Sequence, residues 1–269
     1  MSANQAEFET CCAVSDHRVP SRRRQCYWIA LPAYNEELCL PPLLDRIAEA
    51  MTEADLPYKV IVVNDGSADA TARIAAEYSL VMPLVLENHP INMGLGATMR
   101  DCLTKAIELA NPQDIIVTMD ADNSHNPESI WPMGRLIREG SDVVIASRYQ
   151  TGSRVRGVPA YRRLLSFAGR LFFRALFPIR GVRDYTCGFR AYRAQALQTA
   201  WKSYGDAMFD QEGFQCIVDI LLKLRRFDLV FAEVPMILRY DLKKGGSKMK
   251  VAHTIKSTLL LMFRRRFGS

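Results

Sequence analysis

The chain has 269 residues, 49% of them hydrophobic and 24% charged, with a net charge of +6. That composition is too apolar for a disordered chain, and the length allows one large α/β domain or two small ones. No run reaches the roughly 18 apolar residues of a membrane-spanning helix, and seven cysteines without a CxxC pair read as reduced thiols, not as a zinc site or disulfide framework.

Residues 1–25 are polar, contain Arg22-Arg23-Arg24 and lack the apolar core of a signal peptide, so a loose tail on a cytosolic chain is expected. From Tyr27 onward short β-rich runs alternate with helical periodicity. Strands are predicted over Tyr27–Leu31, Lys59–Val63, Met82–Leu86, Asp114–Met119 and Asp142–Ala146, and helices near 38–54, 69–79, 95–110 and 127–139. Several of the strands are almost wholly apolar, as in a parallel sheet covered on both faces, and the βαβα order predicts a doubly wound sheet. Asp69 before Ala70-Thr71, and Asn126-Pro127-Glu128, mark helix starts. Trp28 on the first strand and Trp131 on the fourth helix are expected in the core. Beyond residue 150 the order is less regular: a helix near 161–177, a strand near 188–192, a helix near 209–223, a strand near 228–234 and a basic helix at the C-terminus.

Ligands bind such sheets off the carboxyl ends of the strands, and the polar motifs stand there. The first strand ends in Leu31-Pro32-Ala33-Tyr34-Asn35-Glu36-Glu37, which has no glycine and so is neither a dinucleotide fingerprint nor a P-loop. The second ends in Asn64-Asp65-Gly66-Ser67, where Asp65 could accept the ring N–H of a nucleobase or cap the next helix. The fourth ends in Met119-Asp120-Ala121-Asp122-Asn123. Residues i and i+2 of a strand point the same way, roughly 6.6 Å apart. Two carboxylates so placed repel unless a divalent cation joins them, and such a cation leaves its other positions to phosphate oxygens.

The charge is uneven. Residues 148–183 hold nine Arg and no acid, and residues 243–269 hold eight Lys or Arg and no acid, which leaves 18 bases against 29 acids, a net −11, elsewhere. In the first segment Arg163, Ser166, Arg170 and Arg174 fall at helical spacing, with Leu164, Phe167, Ala168, Leu171 and Phe172 on a neighbouring face. In the second, Val251, Ile255, Leu259, Met262 and Phe263 accompany Lys256 and Arg264-Arg265-Arg266. Both suit an anionic bilayer interface, and equally a helix packed on the protein body or on a membrane partner.

Leu31–Glu37, Val62–Ser67, Asn92-Met93-Gly94-Leu95-Gly96 and Asp120-Ala121-Asp122 resemble the successive motifs of family 2 glycosyltransferases of the GT-A fold. Asp184-Tyr185-Thr186-Cys187-Gly188-Phe189-Arg190, Gly213-Phe214-Gln215 and Gly245-Gly246-Ser247-Lys248 resemble the dolichol-phosphate mannose synthase branch, and the likeness runs from about 29 to 249. The resemblance implies an α/β, doubly wound mixed sheet flanked by helices, with a catalytic domain over 26–240 and a basic helical segment over 241–269. It implies an inverting, Mg²⁺- or Mn²⁺-dependent transfer of a hexose from GDP-mannose or a UDP-hexose to a polyprenyl phosphate, at the cytosolic face of a membrane and without nucleic acid. Pro32, Ala33, Tyr34, Glu36 and Ala121 are then expected around the nucleotide, Asp65 at the base, and Asp120 and Asp122 on the metal. Arg148, Arg190, Ser247 and Lys248 are expected on anionic acceptor or diphosphate oxygens, with Arg190 also counted among the catalytic groups.

The chain departs from the branch in places. Ser124 stands where Gln is usual as a further ligand, leaving His125 or water to complete the metal site. The acid expected after Phe214-Gln215 is replaced by Cys216 and Val218, with Asp219 the nearest carboxylate. No QxxRW occurs, which speaks against processive polysaccharide synthesis. A lipid phosphate is largely dianionic at neutral pH and needs cationic docking but no base. A hydroxyl acceptor would need one, for which Asp184 and Asp210 are the candidates. A nucleotidyltransferase would want a Gly-rich basic loop after the first strand, and a nucleic-acid module would leave the acidic strand ends unexplained.

Overall fold

The structure is a computed structural model that describes residues 24–157 and 160–242, with backbone alone for 160–165, together with Thr258, Leu260, Leu261, Phe263 and Arg265. The tail to residue 23 and the Ser247-Lys248 motif lie outside the described residues.

Apolar runs become the strands. β1 (Tyr27–Ala33), β2 (Tyr58–Asn64), β3 (Leu84–Asn88) and β4 (Ile115–Thr118) form a parallel half-sheet in the order β3-β2-β1-β4. Ile29–Leu31, Val60–Val63 and Ile115–Val117 are wholly buried, because helices cover both faces. Of these helices, α1 (Leu40–Glu53) buries Leu40, Leu43, Leu44, Ile47 and Met51, the stripe its periodicity predicts. The others are α2 (Thr71–Tyr78), α3 (Leu95–Leu109) and α4 (Ile130–Arg138), the last entered through a 3₁₀ turn at Pro127–Ser129. Asp69 serves as expected: its Oδ1 accepts the Thr71 amide at 2.9 Å.

Trp28 is buried and its indole donates to Asp114. Trp131 overturns its core expectation and is 47% exposed. α4 faces the sheet through Ile130, Met133, Gly134 and Ile137, and a residue one step from that stripe is turned about 100° away.

The second half of the sheet is mixed. β5 (Val143–Ser147) and β8 (Phe231–Pro235) run parallel, while β7 (Arg190–Arg193) is inserted antiparallel between β4 and β5. Arg190 pairs with Thr118 and Ile145, so β7 enters the sheet at the carboxyl ends of its neighbours. That register sets the segment before it, Asp184–Phe189, at the same end as Asp120. Between β5 and β7 lie β6 (Arg154–Arg156) and α5 (Ala160–Leu176); after β7 come α6 (Ala194–Tyr204), a 3₁₀ turn at Gly205–Phe209 and α7 (Gln215–Leu224). β9 (Ile237–Arg239) pairs with β6 in a small second sheet. The lone bridge from Leu238 to His125 and the hydrogen bond from the Arg239 amide to the Ser124 carbonyl brace β9 against the loop after β4. Neither three-residue strand, nor α6, is among the predicted elements.

Candidate active site

Three turns at the carboxyl ends of adjacent strands build the site. The β1 and β2 turns are stitched together: the Asn35 and Glu36 amides donate to the Ser67 and Thr71 hydroxyls at 2.9 and 2.8 Å. In return, Asn35 Oδ1 accepts from the Ala68 amide, and Glu37 Oε2 from that of Ala70. Asn35 holds φ at 52°, a left-handed turn that Asn tolerates, and it swings Tyr34 and Glu36 to the sheet's end. Pro32 and Ala33 are the last residues of β1 and sit beside Val63 and Asn64.

Asp65 is buried, and its carboxylate is largely engaged by its own chain. Oδ1 accepts the Met93 amide at 2.7 Å, Oδ2 accepts the Gly94 amide at 2.9 Å, and His89 Nδ1 stands 2.8 Å from Oδ1. Asp65 therefore holds the turn before α3 onto the β2 end. Gly66 follows with φ of 64°, and a Cβ there would lie 2.3 Å from the Ile91 carbonyl carbon.

The loop after β4 carries the acidic pair. Asp120 is 37% exposed in its side chain, while Asp122 is only 7% exposed overall. Asp122 Oδ1 accepts the Ser124 amide and hydroxyl, at 3.1 and 2.6 Å. Asn123 turns the loop at φ of 58°, and Arg46, reaching across from α1, donates to Asn123 Oδ1 and Asn126 Oδ1, each at 2.8 Å. Gly188 leaves room beside the pair, since a Cβ there would stand 3.7 Å from Asp120 Oδ1. Ala121 is buried between the two acids.

Among the described residues no group of three His, Cys, Asp or Glu forms a metal cluster. Two carboxylates on one loop suit a hard cation, Mg²⁺ or Mn²⁺, that takes its remaining oxygens from phosphate, and they do not suit a closed zinc site. Ser124 acts on Asp122 from behind, positioning it. His125 stacks on Phe189 at 5.0 Å and its Nδ1 accepts the Asp120 amide at 3.3 Å. The ring proton then sits on Nε2, which faces Asp120 Oδ2 at 3.9 Å. In this arrangement His125 supports the Asp120 backbone.

Arg148 follows β5 and is locked to Asp184. Asp184 is fully buried and accepts Arg148 Nε and Nη2 at 2.8 and 2.7 Å, while Nη2 also donates to Thr186. Burial pushes the Asp184 pKa up, but Arg148 outweighs it and holds the carboxyl below its usual range. Burial likewise works against the Arg148 charge, and Asp184 outweighs that too. Arg170 of α5 lies 4.7 Å over the Tyr149 ring, which brings a second guanidinium to the end of β5.

Arg190 is the clear correction. It is 0% exposed, and its guanidinium donates to the carbonyls of Ile217 and Tyr185 at 2.6 and 2.8 Å. A strand set between two others buries what it carries, so Arg190 ties α7 to the Asp184–Phe189 segment from the interior. Asp184 is spent on Arg148, and Asp210 is ion-paired to Lys223 at 2.6 Å, so neither is a ready base. Asp219 lies buried between Lys223 at 2.5 Å and Arg265 at 2.7 Å, which ties Arg265 to α7. Arg46 and His89 were not singled out for these roles; only their partners in the fold reveal them.

An α/β sheet with one reversed strand and an acidic pair at its carboxyl end is the architecture of the GT-A glycosyltransferases. The fold is shared with glucosyl-3-phosphoglycerate synthase of Mycobacterium tuberculosis solved with Mn²⁺, UDP and phosphoglyceric acid, at a TM-score of 0.63 and 21% identity, over 91% of this chain and 79% of that one. Residues 28–201 match Glycosyl transferase family 2, and the chain belongs to that family. It is 32% identical over 223 residues to a dolichol-phosphate mannosyltransferase of Pyrococcus furiosus, covering 82% of this chain but 58% of that enzyme. It is 30% identical to a polyprenol monophosphomannose synthase of Mycolicibacterium smegmatis, over 82% of this chain and 80% of the relative. It is 33% identical to an undecaprenyl-phosphate mannosyltransferase of Micrococcus luteus, over 81% and 85%.

Proposed function

We propose that this glycosyltransferase moves a hexose, with inversion, from a nucleotide-diphosphate sugar to a polyprenyl phosphate at a membrane surface. The observation that carries the reading is the Asp120–Asp122 loop set beside the β1 and β2 turns, where a nucleotide can lie across Pro32–Glu36 with its diphosphate toward the acids. Asp120 and Asp122 would hold Mg²⁺ or Mn²⁺, which supplies charge neutralisation to the leaving diphosphate. Arg148, kept charged by Asp184, faces the acceptor phosphate, with Ser247 and Lys248 in the same role. The named relatives act on polyprenyl or dolichyl phosphates. A phosphate nucleophile needs no base, in keeping with the engagement of Asp184 and Asp210.

Membrane contact is supported by α5, which exposes Phe167, Leu171 and Phe172, and by exposed Leu260 and Phe263 near the C-terminus. Among the described residues no helix is long and apolar enough to cross a membrane.

The test is incubation of the full chain with GDP-mannose or UDP-glucose, Mn²⁺ and short polyprenyl phosphates, followed by solvent extraction. Label in the organic phase is the expected result. Water-soluble product alone would overturn the acceptor class, and undiminished transfer by Asp120→Asn or Asp122→Asn would overturn the metal assignment. Liposome flotation should weaken with salt; salt-insensitive or absent flotation would overturn the surface reading.

A further inference from the structure

His89 follows β3 directly and its ring is nearly buried, 9% exposed in the side chain. Both ring nitrogens meet carboxylates: Nδ1 stands 2.8 Å from Asp65 Oδ1 and Nε2 stands 2.9 Å from Asp101 Oδ2. The oxygens it faces already act as acceptors. Asp65 takes the amides of Met93 and Gly94, and Asp101 takes Arg100 Nε and Nη2, at 2.7 and 3.2 Å. The imidazole is left to donate on both sides, which only its protonated form does.

Charge balance agrees. Two carboxylates, one imidazolium and the Arg100 guanidinium sum to zero, whereas a neutral ring leaves a net negative charge beside the nearly buried Asp65. The other groups around it do not compete. Burial pushes the Cys102 thiol up, so it stays neutral; Glu87 is paired with Lys105 at 2.8 Å; Asp206 acts on the Arg100 side. Burial acts to raise the Asp101 carboxyl, but Arg100 and His89 bring it below its usual value.

We propose that His89 is a positioning residue of the donor site: an imidazolium clamped between Asp65 and Asp101 that fixes the β2 turn and the Met93–Gly94 loop for the nucleotide. This rests on the reading of that turn as the nucleotide seat. Loss of either bond frees the turn, so donor affinity falls while the transfer step, centred on Asp120 and Asp122, is untouched.

The experiment has two arms. Imidazole ¹⁵N–¹H spectra of the full chain, assigned by His89→Gln, should show one ring with both nitrogens protonated at pH 7; a neutral tautomer would overturn the proposal. In the second arm, nucleotide affinity is measured with GDP and UDP in the presence of Mg²⁺, and donor and acceptor KM with the sugar nucleotide that turns over. His89→Gln should raise donor KM about tenfold at pH 7 at nearly constant kcat, with acceptor KM unchanged. Asp101→Asn carries the test should His89→Gln not fold. Variants that fold and keep donor KM within twofold of wild type overturn the proposal and leave the glycosyltransferase reading standing. A wild-type chain that binds neither nucleotide overturns both.

Discussion

Asp184 accepts three hydrogen bonds from Arg148 alone, from its backbone amide at 3.1 Å and from Nε and Nη2 at 2.8 and 2.7 Å. The pair joins the end of β5 to the segment that leads into β7, so it sets the rim of the site as well as the charge on it. Asp184→Asn leaves the guanidinium short of its partner and should cost about 3–5 kcal/mol of stability at pH 7. Because the folded-state pKa of Asp184 is lowered, its contribution is present above the ordinary carboxylate value of about 3.9 and is lost as the pH falls through the folded value. Thermal melts of wild type and Asp184→Asn should therefore converge on acidification below about pH 4. A gap that stays constant down to strong acid would refute the assignment.

Arg46 reaches across from α1 and holds Asn123 and Asn126 on either side of the loop's turn. Arg46→Lys keeps the charge and loses the two-pronged grip. The apparent Mn²⁺ activation constant should rise about 10-fold or more, as for other residues that orient metal-binding loops. At saturating Mn²⁺ the rate should return to near wild type. An unchanged activation constant would show that the loop holds its shape without α1.

Gly96 opens α3 directly under the segment that precedes α7. A Cβ at this position would stand 2.2 Å from the Gln211 carbonyl oxygen and 2.7 Å from the Glu212 Cα. Gly96→Ala should therefore cost about 1–3 kcal/mol, despite the better helix propensity of alanine. Chemical denaturation reads this directly, and a stabilised variant would mean that the two segments do not meet.

The Asp219 carboxylate lies between Lys223 and Arg265, and both it and Lys223 are almost wholly buried. Asp219→Ala takes one of two carboxylates from the buried Lys223 ammonium, which keeps Asp210, and should cost about 1.5–3 kcal/mol. Arg265→Ala removes a partner that is partly in water and should cost about 1 kcal/mol after screening. Equal losses in the two melts would contradict this ordering.

The parallel half of the sheet was open to sequence reading because its strands are pure apolar runs and its helices keep a 3.6-residue stripe. The acidic pair was legible from its place just past an apolar strand, although β4 ends at Thr118 and the pair stands on the loop, so strand alternation does not set its geometry. β7 was expected as a strand near 188–192, but its antiparallel place in the sheet and the burial of Arg190 were not legible. Its four residues carry two arginines, and nothing local reveals that its partners lie seventy positions back, at Thr118, and at Ile145. A charged residue that ends in the middle of a sheet looks, in sequence, like one that meets a ligand. α6 was missed because β7 passes into it at Arg193 without a turn signal, and Trp131 because hydrophobicity alone does not say which side of a helix faces inward. Arg46 and His89 drew no attention in these roles, since their importance is wholly a matter of what distant segments bring to them.

The placement of β7 also bears on how the chain is made. β4 and β5 leave the ribosome early, yet the strand that joins them is Arg190–Arg193. Until it emerges, each presents a bare backbone edge able to pair with a neighbouring nascent chain. Such long-range closure is slow. Chaperone capture during synthesis should accordingly be heaviest for chains stalled short of residue 190 and should drop once the central gap is filled.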